Sequence, residues 1–160
     1  MILIGLGSSL SFCGRAPQAV IGLACRVLDA EFGLARTSSL YASPAWPDPS
    51  DPSFVNAAVA LAAAPPPLEL LACLHRIEFA FGRRRTVKNA PRTLDLDLLA
   101  YGDAVREGPL ILPHPGLGAR DFVLAPLVEI APDYRPPGGG LPLAAMLDRL
   151  PAVSAVRIGA

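Results

Sequence analysis

What this 160-residue sequence lacks narrows its class first. It has no run of about 18–20 uninterrupted apolar residues, which argues against a membrane-spanning helix. The apolar opening, Met1 to Leu6, carries no basic leader and soon meets Arg15, so it reads as a first strand and not a signal peptide. Charge is scarce and balanced: 14 Lys and Arg face 14 Asp and Glu, leaving no general field that would attract nucleic acid. The charged fraction is 18% against 52% hydrophobic, which excludes disorder for most of the chain. Cysteine is sparse as well. Cys13, Cys25 and Cys73 have no C-x-x-C spacing and leave one unpaired under any disulfide scheme. Reduced thiols in a cytoplasmic protein are expected, Cys25 and Cys73 packing within helices, with no sulfur-bound metal. There is also no Walker A loop: nothing of the form Gly-Lys-Ser/Thr follows Gly5-Leu6-Gly7-Ser8-Ser9, which reads as a strand-end turn.

What is present has a regular order. Residues 1–7 suit a buried strand, and Val20, Ile21, Ala24, Val27 and Leu28 recur at helical spacing between Pro17 and Phe32, with Gly33 at the helix end. Residues 35–43, rich in Thr, Ser and Tyr, predict one strand. Four prolines make 44–53 a loop, and 54–64 is extended again. Pro65-Pro66-Pro67 starts a helix whose buried face is Leu70, Leu71, Leu74, Ile77 and Phe81, ended by Gly82. A basic segment follows, then a strand from Leu94 to Tyr101, Pro-rich irregular structure, and helices near 122–130 and 143–150. This order predicts one α+β domain over 1–160, a ferredoxin-like split β-α-β sandwich whose antiparallel sheet carries helices on its faces.

The strongest chemical feature is Leu94-Asp95-Leu96-Asp97-Leu98. Strand alternation points both carboxylates to one face, about 7 Å apart, and the leucines to the core. Hard cations such as magnesium accept one or two such carboxylates with phosphate oxygens. Solvated acids on an open strand are the plain alternative, but Asp is a poor strand former and two in one short strand need a reason. The preceding loop holds Arg83, Arg84, Arg85, Lys88 and Arg92, and a triphosphate is what would bridge these cations to metal-binding acids. Glu78 lies beside the buried face of its helix and in its last turn, which the helix dipole disfavours. It is therefore paired, either with a ligand or with Arg83 or Arg85. Phe54 and Phe122 adjoin loops and suit core packing or a platform for a flat heterocycle, with Asn56 on the face of Phe54. His114, locked between Pro113 and Pro115, suits a structural or a catalytic role, and Arg120 either a surface charge or a further phosphate clamp.

Taken together, Gly5-Leu6-Gly7-Ser8, Ser43-Pro44, Phe54-Val55-Asn56-Ala57, Ile77-Glu78, Gly82-Arg83, Pro91 to Asp97, Pro113-His114 and Arg120 to Leu124 resemble the 6-hydroxymethyl-7,8-dihydropterin pyrophosphokinases from end to end. The resemblance implies transfer of pyrophosphate from ATP to the pterin hydroxymethyl group in folate biosynthesis, leaving AMP. It implies two magnesium ions on Asp95 and Asp97, and catalytic roles for Arg83, Arg92 and Asp97. ATP would meet Glu78, Arg83, Arg85, Arg92, His114 and Arg120. The pterin would meet Ser43, Pro44, Trp46, Phe54, Asn56, Asp95 and Phe122, with the two rings as a sandwich and loops 44–53 and 83–92 as lids. The partners implied are these small molecules, with no nucleic acid and no membrane, in a monomer. The sequence departs from the family at Ser9 (commonly Asn), at His75 (Gln in some members) and in lacking a Trp before Pro91. Rival readings are another magnesium-dependent phosphotransferase or an anion- or RNA-binding module; neutral charge and the lack of aromatic-rich strand motifs argue against RNA.

Overall fold

The computed structural model describes residues 1–84 and 90–159. Strand β1 (Ile2–Ser8) leads into helix α1 (Pro17–Phe32), where Pro17 supplies a preset φ at the first turn and Gly33, at φ 67°, ends the helix by donating its N–H to Asp29 O. Strands β2 (Leu34–Thr37), β3 (Leu40–Ser43) and β4 (Phe54–Leu61) follow, then α2 (Pro67–Ala80), β5 (Asp95–Tyr101), α3 (Asp121–Ile130), α4 (Leu143–Asp148) and β6 (Val156–Ile158). The strands form one antiparallel sheet in the order β5-β1-β4-β3-β6, with β2 also paired to β4. The architecture is α+β with helices on the faces of an antiparallel sheet, as the element order predicts.

Three local expectations are corrected. The strand expected over 35–43 breaks at Ser38-Ser39, so that β3 pairs with residues 54–56 of β4 and β2 with residues 59–61. Ser38 makes the break tolerable, because its hydroxyl accepts the Ala58 N–H at 2.9 Å while its own N–H reaches Ala58 O. Gly5 to Ser8 is not a turn: it is the second half of β1, paired on both sides from Gly5↔Ala58 and Gly5↔Asp97 to Gly7↔Asn56 and Gly7↔Asp95. Strand β6, three residues long and largely exposed, has no counterpart in the sequence reading.

The two sheet faces differ. One packs on α1 and α2 through Ile4, Leu6, Val59, Leu94, Leu96 and Leu98. The other packs on α3 and α4 through Leu3, Ala58, Ala60 and Leu99, over only part of its length. Among the described residues no helix is long and apolar enough to cross a membrane.

Candidate functional site

The uncovered part of that second face is the floor of a cleft. Strand alternation puts Asp95 and Asp97 of β5, Gly5 and Gly7 of β1, and Phe54 and Asn56 of β4 on it. The glycine at position 7 keeps the floor flat: a Cβ there would stand 3.5 Å from Phe54, 3.6 Å from Asn56 Oδ1 and 3.7 Å from the Asp95 Cβ. Asn56 is buried and spends one amide N–H on Ser43 Oγ at 2.9 Å, which fixes the direction of its remaining polar edge.

Above the floor runs a chain of alternating charge. Arg83 donates to both Glu78 and Asp95, and Arg92 donates to the other oxygen of Asp95. Glu78 is 2% exposed and also accepts the Leu96 N–H at 2.8 Å, so it holds Arg83 and the strand between the two aspartates together. Burial alone would raise Asp95, but Arg92 and Arg83 outweigh it and hold its carboxyl below the usual range. Burial likewise works against charge on Arg83, and Asp95 and Glu78 reverse this. Asp97 makes no ion pair or side-chain hydrogen bond among the described residues. Burial, then the neighbouring Asp95, push its pKa up to about 6.

The acids lie where two cavities meet. The larger, about 380 Å³, is lined on one side by Leu71, His75 and Arg83 and on the other by Leu110, Ile111 and His114. The smaller, about 50 Å³, lies among Ser43, Pro44, Trp46, Phe54, Arg120 and Phe122. Arginines stack on its rings: Arg92 sits 4.9 Å from the Phe54 centroid, and Arg120 sits 4.4 Å from Trp46 and 5.9 Å from Phe122. Both cavities reach Asp95 and Asp97. Nearby, the Nε of Arg92 and the hydroxyl of Thr93 are buried with no hydrogen-bond partner among the described residues.

The structure thus brings Ser43, Pro44, Trp46, Phe54, Asn56, Arg83, Arg92, Asp95, Asp97, His114, Arg120 and Phe122 to one cleft. Glu78 is placed behind Arg83, beneath the cleft and not lining either cavity. Arg85 lies outside the described residues. Four residues went unassigned in the sequence reading. Gly7 forms the floor and Gly5 takes the Leu99 side chain against its bare backbone; the glycines at alternate positions, taken for a turn, were the available signal. Ser8 and Ser9 anchor the far end of the basic loop: Ser8 Oγ donates to Thr93 O at 2.7 Å, and Ser9 Oγ accepts the Arg92 N–H at 3.1 Å.

Two hard carboxylate oxygen donors on one strand face fit magnesium. Among the described residues no group of three or more His, Cys, Asp or Glu side chains could hold an ion alone, so phosphate and water oxygens would complete the shell.

Residues 3–132 match the family described as 7,8-dihydro-6-hydroxymethylpterin-pyrophosphokinase. The chain is 39% identical over 149 residues to the 2-amino-4-hydroxy-6-hydroxymethyldihydropteridine pyrophosphokinase of Synechocystis sp., covering 92% of this chain and 75% of that one. It is 40% identical over 139 residues to the protein of the same name from Pseudomonas aeruginosa, covering 86% and 85%. A crystal structure of HPPK-DHPS in complex with substrates superposes with a TM-score of 0.73 at 11% identity, over 92% of this chain and 44% of that one. Wild-type HPPK-DHPS of Plasmodium falciparum with pteroate gives 0.68 at 14% identity, over 92% and 42%. At such identities these two likenesses speak for the fold alone, and the chain spans under half the length of either.

Proposed function

Because the chain belongs to the 7,8-dihydro-6-hydroxymethylpterin-pyrophosphokinase family, we propose that the cleft over Asp95 and Asp97 is where it does that family's chemistry. The reaction is transfer of pyrophosphate from ATP to the hydroxymethyl oxygen of 6-hydroxymethyl-7,8-dihydropterin, in folate biosynthesis. The observation that carries the placement is the acid pair standing where a roomy cavity meets a narrow aromatic one. The larger takes the nucleotide, with Arg83 and His114 on its walls. The smaller takes the pterin, with Phe54 and Phe122 as the faces of its sandwich and Asn56 reading its edge.

Pyrophosphoryl transfer asks the protein for position and charge balance more than for covalent work. Asp95 and Asp97 would hold the two magnesium ions we assign here, which would supply charge neutralisation for the triphosphate. Arg83 and Arg92 are the catalytic cations. Both hold Asp95 in this structure, Arg83 sharing itself with Glu78, and each would exchange that carboxylate for phosphate oxygens when the triphosphate binds, leaving Asp95 able to hold a metal. Glu78 keeps Arg83 in reach through this exchange instead of contacting ATP. Arg120 lies between the two substrates and can reach the chain of phosphates from the pterin side. The free thiols suit a cytoplasmic enzyme, and we assign it as a monomer.

The test is AMP release with ATP, magnesium and pterin. Asp97→Ala is expected to lower it at least about a thousandfold while far-UV circular dichroism stays unchanged. An active Asp97→Ala enzyme would sink the metal assignment. ATP turnover to orthophosphate without pterin would overturn the placement of the reaction.

A further inference from the structure

The two walls of the aromatic slot are joined from outside the cleft. One wall, Arg120 and Phe122, is the first turn of α3; the other, Ser43, Pro44 and Trp46, continues from β3. Asp121, between Arg120 and Phe122, turns away from the slot, and its Oδ2 accepts the Ser154 N–H, the Ser154 hydroxyl at 2.8 Å and the Ala155 N–H at 2.8 Å. The next residue begins β6, which pairs with β3 through Ala42↔Val156, Tyr41↔Arg157 and Leu40↔Ile158. The path from one wall to the other is therefore Phe122, Asp121, Ser154-Ala155, Val156, Ala42, Ser43. A second strut meets the far end of the same helix, where Glu129 accepts from the Ser39 N–H, the Ser39 hydroxyl and the Tyr41 hydroxyl, with Arg157 at 3.6 Å. Burial raises Asp121, but the Ser154 hydroxyl and the backbone donors outweigh it and hold its carboxyl below the usual range, as bonds to the charged form do.

We propose that Asp121 is a positioning residue which, by gripping Ser154 and Ala155, makes the segment 154–158 a bracket that sets the width of the pterin slot without touching the pterin. A flat ring held between two aromatic faces tolerates little change in their separation, so a small outward shift of the first turn of α3 weakens that substrate selectively. The inference rests on the slot being the pterin site. It also gives a three-residue, largely exposed strand a role at the sheet edge.

Steady-state kinetics on the full chain test it. Asp121→Ala is expected to raise the KM for pterin about tenfold while the KM for ATP moves less than about twofold. Asp121→Asn, whose amide oxygen keeps two of the acceptor sites, is expected to restore most of the pterin KM. Val156→Pro, which disrupts the pairing of β6 with β3 next to the residues Asp121 grips, is expected to give the same split as Asp121→Ala. Parallel rises in both KM values, or no rescue by Asn, mean a merely structural residue and overturn the bracket. Phe122→Ala is measured alongside. An unchanged pterin KM there sinks the slot reading itself, whereas a raised one with a silent Asp121→Ala sinks the bracket alone. Should Asp121→Ala not fold, Ser154→Ala removes one donor and is expected to shift the pterin KM about threefold in the same sense; no shift overturns the proposal.

Discussion

The two faces of the sheet are made by the same strands and do opposite work. Toward α1 and α2, β1 presents Ile4 and Leu6 and β5 presents Leu96 and Leu98, all at most 3% exposed. Toward the cleft, the intervening residues are Gly5, Gly7, Asp95 and Asp97. Period-two alternation lets every second residue hold the fold while its neighbours are chosen for chemistry. The cleft face is unfavourable for folding: it strips side chains from β1 and buries two acids on β5. The helix face compensates by packing large aliphatic side chains without interruption. Stability and activity should therefore be separable one residue apart.

Beyond the loss of AMP formation expected for Asp97→Ala, the sharpest way to break this comparison is its neighbour. Leu96→Ala on the opposite face should cost about 3 kcal/mol in urea unfolding, yet leave the kcat of the folded fraction nearly unchanged. A large fall in kcat there would mean the faces are not independent. Next comes Asp97 itself. Its folded pKa, raised to about 6, means its contribution to stability is full below the unfolded value and is lost as pH rises through 6. Asp97→Asn should then stabilise the metal-free protein by on the order of 2 kcal/mol at pH 7.5, and by little at pH 4. Thermal melts in chelator at the two pH values read the difference; equal shifts at both would refute it. The smallest effect is expected at Gly7→Ala. The added Cβ meets only ordinary contacts of 3.5–3.7 Å, so the unfolding free energy should move by under about 1 kcal/mol while pterin binding weakens several-fold. Titration calorimetry checks the binding.

The acid pair was legible because alternation is local: Leu94, Leu96 and Leu98 are core and Asp95 and Asp97 face the cleft, as spacing requires. Helix α1 was legible for the same reason, its apolar period being bounded by Pro17 and Gly33. The break at Ser38 was not, since a serine hydroxyl taking a backbone donor from β4 leaves no pattern in its own segment. Strand β6 owes its existence to β3 and Asp121 and little to its own three residues. Glu78 shows the limit well. Its helix position foretold burial and a partner, but whether that partner was a ligand or Arg83 depended on where α2 meets β5. Arg83 and Arg92 were recognised as cations for phosphate, while their shared hold on Asp95 needed three dimensions.

The stacking of Arg92 on Phe54 and of Arg120 on Trp46 has a consequence for anyone seeking an inhibitor. The aromatic slot already has tenants, and they belong to the protein. A compound fitted to the roughly 50 Å³ left over would be far too small, while a flat heterocycle has to evict a guanidinium from each ring it covers. Affinity is then a competition between two stacking partners, and the evicted cation must find a new home. A compound whose far end carries an anionic group placed to receive Arg92 supplies that home, and should gain more from it than from any added contact with the rings.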